Sequence, residues 1–186
     1  CVIIFFLLVI FTSGIQASES HFSTAGFYEL ANSGREVYNM NVGWRFYKGS
    51  CPDAWQREFD DSSWEVVSIP HGLELLPEEA SGNINYQGRA WYRKNFSVPA
   101  NLKDKKVYLH FEGIMGKSRI WLNGKLLKEH FNGYLPIIAD VTEDLNFEME
   151  NTLSICADNS DDPSFLPGKP QQALDFTYFG GIYRDC

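Results

Sequence analysis

The sequence predicts an all-β fold of short antiparallel strands, arranged as a sandwich or a barrel. Three observations support this prediction. Apolar and polar side chains alternate over short runs, as they do in strands that bury one face. Asn-Gly pairs, which favour tight hairpins, stand between such runs, and prolines interrupt the chain between others. Helical periodicity is scarce, so a helical architecture is not expected.

The predicted strands follow one another through the second half of the chain. Val107, Leu109 and Phe111 share one face of a strand at 107–112. Asn123-Gly124 predicts a hairpin between two further strands, and Asn132-Gly133 predicts the same turn before the next one. The full set of strand predictions is 90–98, 107–112, 119–122, 125–130, 134–139 and 152–157.

Two long stretches are predicted to be loops. Residues 158–175 contain three prolines and Gly168, and residues 71–88 are polar and rich in Glu, Gly and Asn. A loop that is this long in a compact domain is usually functional or disordered. Residues 18–186 show no internal repeat and no linker, so we expect one domain.

Composition excludes some function classes. The chain has 186 residues and a net charge of −8, with 24 acidic against 16 basic residues. Because no basic cluster is present, nucleic acid is not an expected partner. The four cysteines include no C-x-x-C pair, so a zinc site is not expected, and Cys156 is predicted to be a buried thiol. The 44% hydrophobic content indicates a packed domain.

The first residues are typical of a secretory signal peptide. Residues 1–11 are almost wholly apolar, and the small and polar residues 12–17 follow, with Ala17 before a suitable cleavage point. We interpret 1–17 as a signal peptide without its basic start, and 18–39 as a lead-in segment. The alternative is a short membrane anchor, but the apolar run is shorter than the ~20 residues that a spanning helix needs. The sequence therefore predicts export to a periplasm or beyond, without a membrane anchor.

Several motifs, taken in order, carry a family resemblance: Gly43-Trp44-Arg45-Phe46, Phe59 to Trp64 with Pro70-His71, Gly88 to Lys94, Trp121-Leu122-Asn123-Gly124, and Gly180-Gly181-Ile182-Tyr183-Arg184-Asp185. Together they resemble the N-terminal sugar-binding domain of glycoside hydrolase family 2, which includes β-galactosidases and β-glucuronidases. The resemblance covers residues 40–185, and the domain is assigned to 40–186. It implies a jelly-roll β-sandwich like that of galactose-binding domains. The chain departs from the pattern at Gly72-Leu73, where Asp-Trp is frequent, and at Cys186, where Val is usual.

The resemblance implies that the catalytic residues lie elsewhere. Retaining glycoside hydrolysis needs two carboxyl groups ~5 Å apart. In this family both are glutamates on a later (β/α)₈ barrel, so we expect no catalytic residue and no catalytic barrel in this chain. The adjacent acid pairs Asp60-Asp61, Glu78-Glu79 and Asp161-Asp162 point to opposite faces of an extended chain, and we expect them to be solvated loop acids.

Three residues are candidate sugar contacts. Asp175 stands shortly before the motif at 180–185. In similar β-galactosidases, an Asp at this spacing accepts hydrogen bonds from galactose hydroxyl groups and helps to bind a sodium ion. Asn85 corresponds to an Asn that bonds the first sugar, although Asn83 is close enough for the alignment to slip. Tyr178 is a third candidate, because aromatic faces stack on sugars. The alternatives are turn-capping roles for Asp175 and Asn85, and core or interdomain packing for Tyr178. The chain itself requires no cofactor, while Na⁺ or Mg²⁺ is expected only in a full-length enzyme.

Three functions are consistent with these observations. The first is the accessory domain of a secreted exo-glycosidase that hydrolyses terminal β-galactosides and is joined to C-terminal sandwich and barrel domains. A galactoside is favoured over a glucuronide because Asp175 would repel a second carboxylate. The second is a free-standing carbohydrate-binding module. The third is a structural sandwich without a sugar site, which leaves the combined match of Asn85 and Asp175 unexplained.

Overall fold

The structure is a computed structural model that describes residues 34–74, 85–166, 168–174 and 176–186. Eight strands form two antiparallel sheets: β1 Trp44–Lys48, β2 Glu65–Val67, β3 Arg89–Phe96, β4 Tyr108–Phe111, β5 Lys117–Leu122, β6 Lys125–Phe131, β7 Ile137–Asp140 and β8 Asn151–Asp158. The large sheet has the order β2-β1-β3-β8-β5-β6, and β4 pairs with β7 in the small one. Two single 3₁₀ turns lie at Ala100–Leu102 and Gln171–Ala173.

The two sheets share one hydrophobic core. Ile120 and Ile155 of the large sheet are fully buried, and Phe111 and Ile137 of the small sheet pack into the same cluster. Apolar side chains therefore occupy the inner faces, as the alternation at 107–112 predicted. The predicted all-β antiparallel sandwich is confirmed. Within the described residues, no helix has the length and apolar character needed to cross a membrane.

Strand β3 is buried on both of its faces. Ala90 and Tyr92 point into the main core. Trp91 and Arg93 point the other way and are also buried, because residues 51–64 cover that face of the sheet. Trp91 packs there with Trp64 in a second, smaller cluster. An irregular segment is thus as firmly packed as the strands that it covers.

One predicted Asn-Gly hairpin is confirmed. Asn123 and Gly124 connect β5 to β6 with φ values of 53° and 82°, the left-handed conformation that this turn requires. The Asn123 amide also donates to the backbone oxygen of Asp144 and to Oδ1 of Asn151, at 3.1 and 2.9 Å. The turn is therefore set by its own residues and held by neighbouring loops.

The second predicted hairpin, at Asn132-Gly133, is wrong. β6 and β7 belong to different sheets, so this segment is a crossover between the two layers. Asn132 caps its own turn by accepting from the N–H groups of Tyr134 and Leu135. Gly133 is required by packing and not by a hairpin, because a Cβ there would lie 2.4 Å from the sulfur of Met115.

The last residues of the chain, 176–186, form a closing segment that runs between two loops of the sandwich. Gly181 forms an isolated bridge with Met115, and the Ile182 oxygen accepts from the His71 N–H at 2.7 Å. Ile182 itself is fully buried in the main core. The closing segment is therefore part of the domain, and it brings the motif at 180–185 against Met115, 66 positions before Gly181, and His71, 111 positions before Ile182.

Candidate functional site

Asn85 lies in a buried cluster with Gln171 and Tyr178. Its Nδ2 donates to the Tyr178 backbone oxygen at 2.8 Å, and its Oδ1 accepts from Gln171 Nε2 at 2.6 Å. The Asn85 N–H donates to Gln171 Oε1 at 3.1 Å, and the residue is only 5% exposed. The amide of Asn85 therefore ties three segments of the chain together, whatever it contributes to a ligand.

The Tyr178 ring is also buried, and its hydroxyl group is anchored. Tyr178 donates to Asp161 Oδ1 at 3.1 Å, and Gln87 Nε2 donates to both Tyr178 Oη and Asp161, at 3.3 and 2.9 Å. Burial, with a further effect of Asp161, raises the pKa of Tyr178 to about 12. The phenol therefore stays neutral at physiological pH and acts as a hydrogen-bonding and packing group.

The structure brings two of the three predicted sugar contacts together. Asn85 and Tyr178 are joined directly by the hydrogen bond from Asn85 Nδ2 to the Tyr178 backbone oxygen. Asp175 lies outside the described residues, and so does Asn83, the other member of the Asn pair. Gln171 and Tyr178 flank the position of Asp175 in the sequence. The sugar-binding role of all three residues stays a prediction.

Two buried residues of this cluster were missed by the sequence analysis. Gln171 lies on the second 3₁₀ turn, inside a stretch predicted to be an irregular loop. Asn159 follows β8, accepts from the Gly88 N–H at 2.9 Å and donates to the Tyr86 oxygen at 2.8 Å. These two side chains form hydrogen bonds with distant parts of the chain, in loops that fold against each other. Such contacts leave no periodic pattern in the sequence from which the residues could be predicted.

Two acids depart from their prediction. Asp61 was expected to be a solvated loop residue, but it is half-buried and accepts from Nε of the buried Arg93 at 2.7 Å. Arg93 thereby holds the covering segment 51–64 on the sheet. Asp162 is half-buried as well, and Lys117 and Ser164 beside it lower its pKa to about 2. Among the residues that the structure describes, no group of three His, Cys, Asp or Glu side chains could hold a metal ion.

His71 is a fixed, neutral histidine at the start of the second long loop. Its Nδ1 lies 2.9 Å from the hydroxyl of the buried Tyr92, and its ring packs edge-on against Phe46. The hydroxyl oxygen of Tyr92 also accepts from the Ile182 N–H. The hydrogen bond between the Tyr92 hydroxyl and Nδ1 of His71 therefore fixes the orientation of the imidazole ring. Burial lowers the pKa of His71 against an opposing effect of Glu65.

We expect the free energy of unfolding to fall as pH drops from 8 to 5.5. Burial lowers the pKa values of His71 and His130 in the folded state, so the unfolded chain binds more protons just below pH 6.5. Stability that is present above that pH is therefore lost as pH falls. Urea unfolding at a series of pH values measures this. His71→Gln should flatten the dependence, whereas Asn95→Ala, which removes no titrating group, should not; equal slopes would contradict the assignment.

Replacing Asn85 with alanine should destabilise the domain by about 1–3 kcal/mol, because the Tyr178 oxygen and the Gln171 amide would lose a buried partner. Urea unfolding followed by tryptophan fluorescence measures the change. Asn95→Ala, at an exposed position of β3, is the matched control and should change stability by no more than about 0.5 kcal/mol. If both variants behave alike, Asn85 does not hold the cluster together.

Comparisons with known proteins connect this geometry to a family. Residues 77–164 match the model of the glycosyl hydrolase 2 galactose-binding domain-like family. This chain carries a family 2 glycoside hydrolase domain. The match spans most of the large sheet, the Asn85 position and the loop that follows Asn159.

Relatives of the family 2 domain are glycosidases. A β-galactosidase from Thermoanaerobacter pseudethanolicus is 37% identical over 153 residues, which are 82% of this chain and 20% of the relative. A β-glucuronidase from Formosa agariphila is 31% identical over 168 residues, covering 84% of this chain and 17% of the relative. The chain thus spans about a fifth or less of the length of these two relatives.

A solved structure agrees with the fold of the family 2 domain. Bacteroides uniformis β-glucuronidase 2, covalently bound to cyclophellitol-6-carboxylate aziridine, superposes with a TM-score of 0.70 at 35% identity. The superposition covers 79% of this chain and 17% of that one. The relatives therefore include both β-galactosidases and β-glucuronidases, and in each of them this domain is accompanied by a much longer remainder.

Proposed function

We propose that this domain forms one wall of the sugar pocket in a retaining exo-glycosidase that acts on terminal β-galactosides. The observation that carries the proposal is the buried Asn85–Gln171–Tyr178 cluster. It ties the residues just before β3 to Gln171 and Tyr178, which stand on either side of Asp175 in the sequence. Two loops that the resemblance assigns to sugar binding are thereby coupled through one network. Positioning of this kind contributes to rate as well as affinity.

The division of labour follows from the chemistry of the reaction. The catalytic acid and nucleophile belong to a barrel outside these residues, and Asp175 accepts hydrogen bonds from hydroxyl groups of the terminal sugar. Asn85 contributes through the second hydrogen of its amide and the second lone pair of Oδ1, which Tyr178 and Gln171 do not use. Asp175 also ligates Na⁺ in the full-length enzyme, since carboxylate oxygens suit hard cations. The apolar start at 1–17 supports export of this enzyme to a periplasm or beyond.

Exposed apolar side chains support a partner domain. Tyr134 and Leu135 of the β6–β7 crossover are 43% and 56% exposed, and Phe131 beside them is 54% exposed and contacts Phe165. Neighbouring apolar side chains on a surface mark an interaction site more often than isolated ones do. We assign this surface to contacts with the remainder of the enzyme.

A β-glucuronidase is the second candidate, because two of the three relatives described above carry that name. The carboxylate of Asp175 argues for a galactoside, since it would repel a glucuronide carboxylate. Extending the reading frame in the source DNA and assaying the whole enzyme on 4-nitrophenyl β-galactoside and β-glucuronide tests this. We expect galactoside hydrolysis that falls roughly 10- to 150-fold in Asp175→Asn, the loss of one charged hydrogen bond.

Asp104→Asn, at an exposed position of a loop outside the cluster, is the matched control and should retain activity. A preference for the glucuronide would overturn the galactoside assignment. A downstream frame without a barrel that carries two glutamates would overturn the enzyme and leave the free-standing carbohydrate-binding module.

A further inference from the structure

A groove lies at the edge of β1, beside the first residue of β2. β2 pairs only with Trp44, Arg45 and Phe46, so Tyr47 and Lys48 extend β1 beyond its neighbour. The Gly49 N–H donates to Arg89 on the β3 side, and strand alternation therefore turns the backbone groups of Lys48 toward the open side. The groove has a volume of about 430 Å³, within the range of small-molecule sites.

An aromatic pair forms one side of this β1-edge groove. The rings of Tyr47 and Trp64 stack with centroids 5.4 Å apart and an interplanar angle of 27°. Trp64 is buried in the cluster with Trp91, while Tyr47 is 41% exposed. The exposed ring is therefore held by a rigid neighbour, which lowers the entropy cost of using it as a contact surface for a ligand.

Polar groups with fixed positions line the remainder. Glu74 accepts from the Tyr86 N–H at 2.7 Å and lies 3.9 Å from the Lys48 ammonium, which is placed over the Tyr86 ring. The His71 ring is held in place by the hydrogen bond between its Nδ1 and the Tyr92 hydroxyl. Glu65 begins β2 and also lines the groove. Donors and acceptors are thus present before any ligand binds.

This lining selects a ligand class. Carboxylates, an ammonium and an imidazole beside an aromatic ring match a molecule with hydroxyl groups on its rim and C–H groups on its face, which is a saccharide. Two acids, Glu65 and Glu74, outnumber the single lysine, Lys48, so a neutral sugar fits better than a uronate. An extended peptide fits poorly, because the open edge of β1 offers only two residues for pairing.

We propose that the β1-edge groove is a second saccharide-binding position, which holds a neutral sugar unit of an oligosaccharide apart from the unit bound at Asn85 and Asp175. This inference rests on the proposed glycosidase function. The two positions are adjacent, because Glu74 bonds the backbone of Tyr86, the residue after Asn85. They use different side chains, so each can be removed separately.

The test is a titration of the chain with a neutral β-1,4-galacto-oligosaccharide, followed by tryptophan fluorescence and calorimetry. We expect binding that perturbs tryptophan emission, and at least a roughly tenfold weaker affinity for Glu65→Gln, which keeps the size of the side chain but removes its charge. Glu129→Gln, which carries the same change on the exposed strand β6, is the control and should bind as the unaltered chain does.

The outcomes separate this inference from the proposed function. Weaker binding in Glu65→Gln but not in Asp175→Asn supports the second position. Weaker binding in Asp175→Asn alone overturns it while supporting the sugar pocket. No saccharide binding, or binding only of an unrelated extended tetrapeptide, overturns the second position as well. The absence of saccharide binding, or binding of the tetrapeptide alone, leaves the proposed enzyme unaffected. Its sugar pocket needs the barrel, and its test is the assay on nitrophenyl glycosides.

Discussion

Replacing Arg93 with methionine should destabilise the domain by about 3–5 kcal/mol, the usual cost of removing one partner of a buried ion pair. The guanidinium is 1% exposed and bonds Asp61, Ser154 and backbone oxygens of the covering segment 51–64, among them those of Ala54 and Gln56. Methionine fills similar space but leaves these acceptors without a donor. Urea unfolding followed by tryptophan fluorescence measures the loss.

The matched control for Arg93 stands four residues earlier on the same strand. Arg89 pairs with Asp158 at 3.4 Å, and its side chain is 57% exposed. Exposed pairs contribute ~0–1 kcal/mol, so Arg89→Met should change stability by no more than that. A loss below about 1 kcal/mol for Arg93→Met would show that the covering segment is held by the apolar contacts of Trp64 and Trp91 alone.

Replacing Gly181 with alanine should cost about 2–5 kcal/mol and loosen the closing segment. Gly181 has a φ of +105°, which strains any other residue. A Cβ there would also lie 2.6 Å from the His71 backbone oxygen and 2.6 Å from the Tyr92 hydroxyl. Backbone cannot yield as a flexible side chain can, so the steric cost adds to the strain.

Gly34→Ala separates these two contributions. Gly34 has a φ of +67°, but no atom of the residues that the structure describes lies within 4 Å of the added Cβ. It should therefore show only the conformational cost, about 1 kcal/mol. Thermal and urea unfolding of both variants, with proteolysis of the closing segment as a second readout, measure the difference. Equal losses would mean that the close approach to His71 and Tyr92 does not constrain Gly181.

Local chemistry explains which elements could be predicted. The alternation at 107–112 and the left-handed turn at Asn123-Gly124 depend on neighbouring residues, so the sequence contains all the information needed. β2 has only three residues, too few for a periodic pattern, and was not among the predicted strands. Asn132-Gly133 has the same residue types as the confirmed hairpin but serves a crossover, because the layout of the two sheets decides where the chain goes next.

The candidate site divides in the same way. Asn85 was proposed through a motif resemblance and Tyr178 through its aromatic side chain, whereas Gln171 and Asn159 were found only through their buried contacts. The pairing of Asp61 with Arg93 spans 32 positions and contradicts the local expectation of a solvated acid. No spacing rule connects residues that meet only when a loop folds over a sheet.

The sequence by itself determined the all-β class, most strand positions, one hairpin and the family resemblance, because alternation, turn chemistry and short motifs are local properties of the chain. Only the tertiary structure decided that residues 51–64 bury Arg93, that the amide of Asn85 holds the closing segment, and that β2 begins too late to pair with Tyr47, which leaves a groove there. These features depend on which segments meet in space. That meeting is set by the packing of two sheets around one core and cannot be read from any single window of residues.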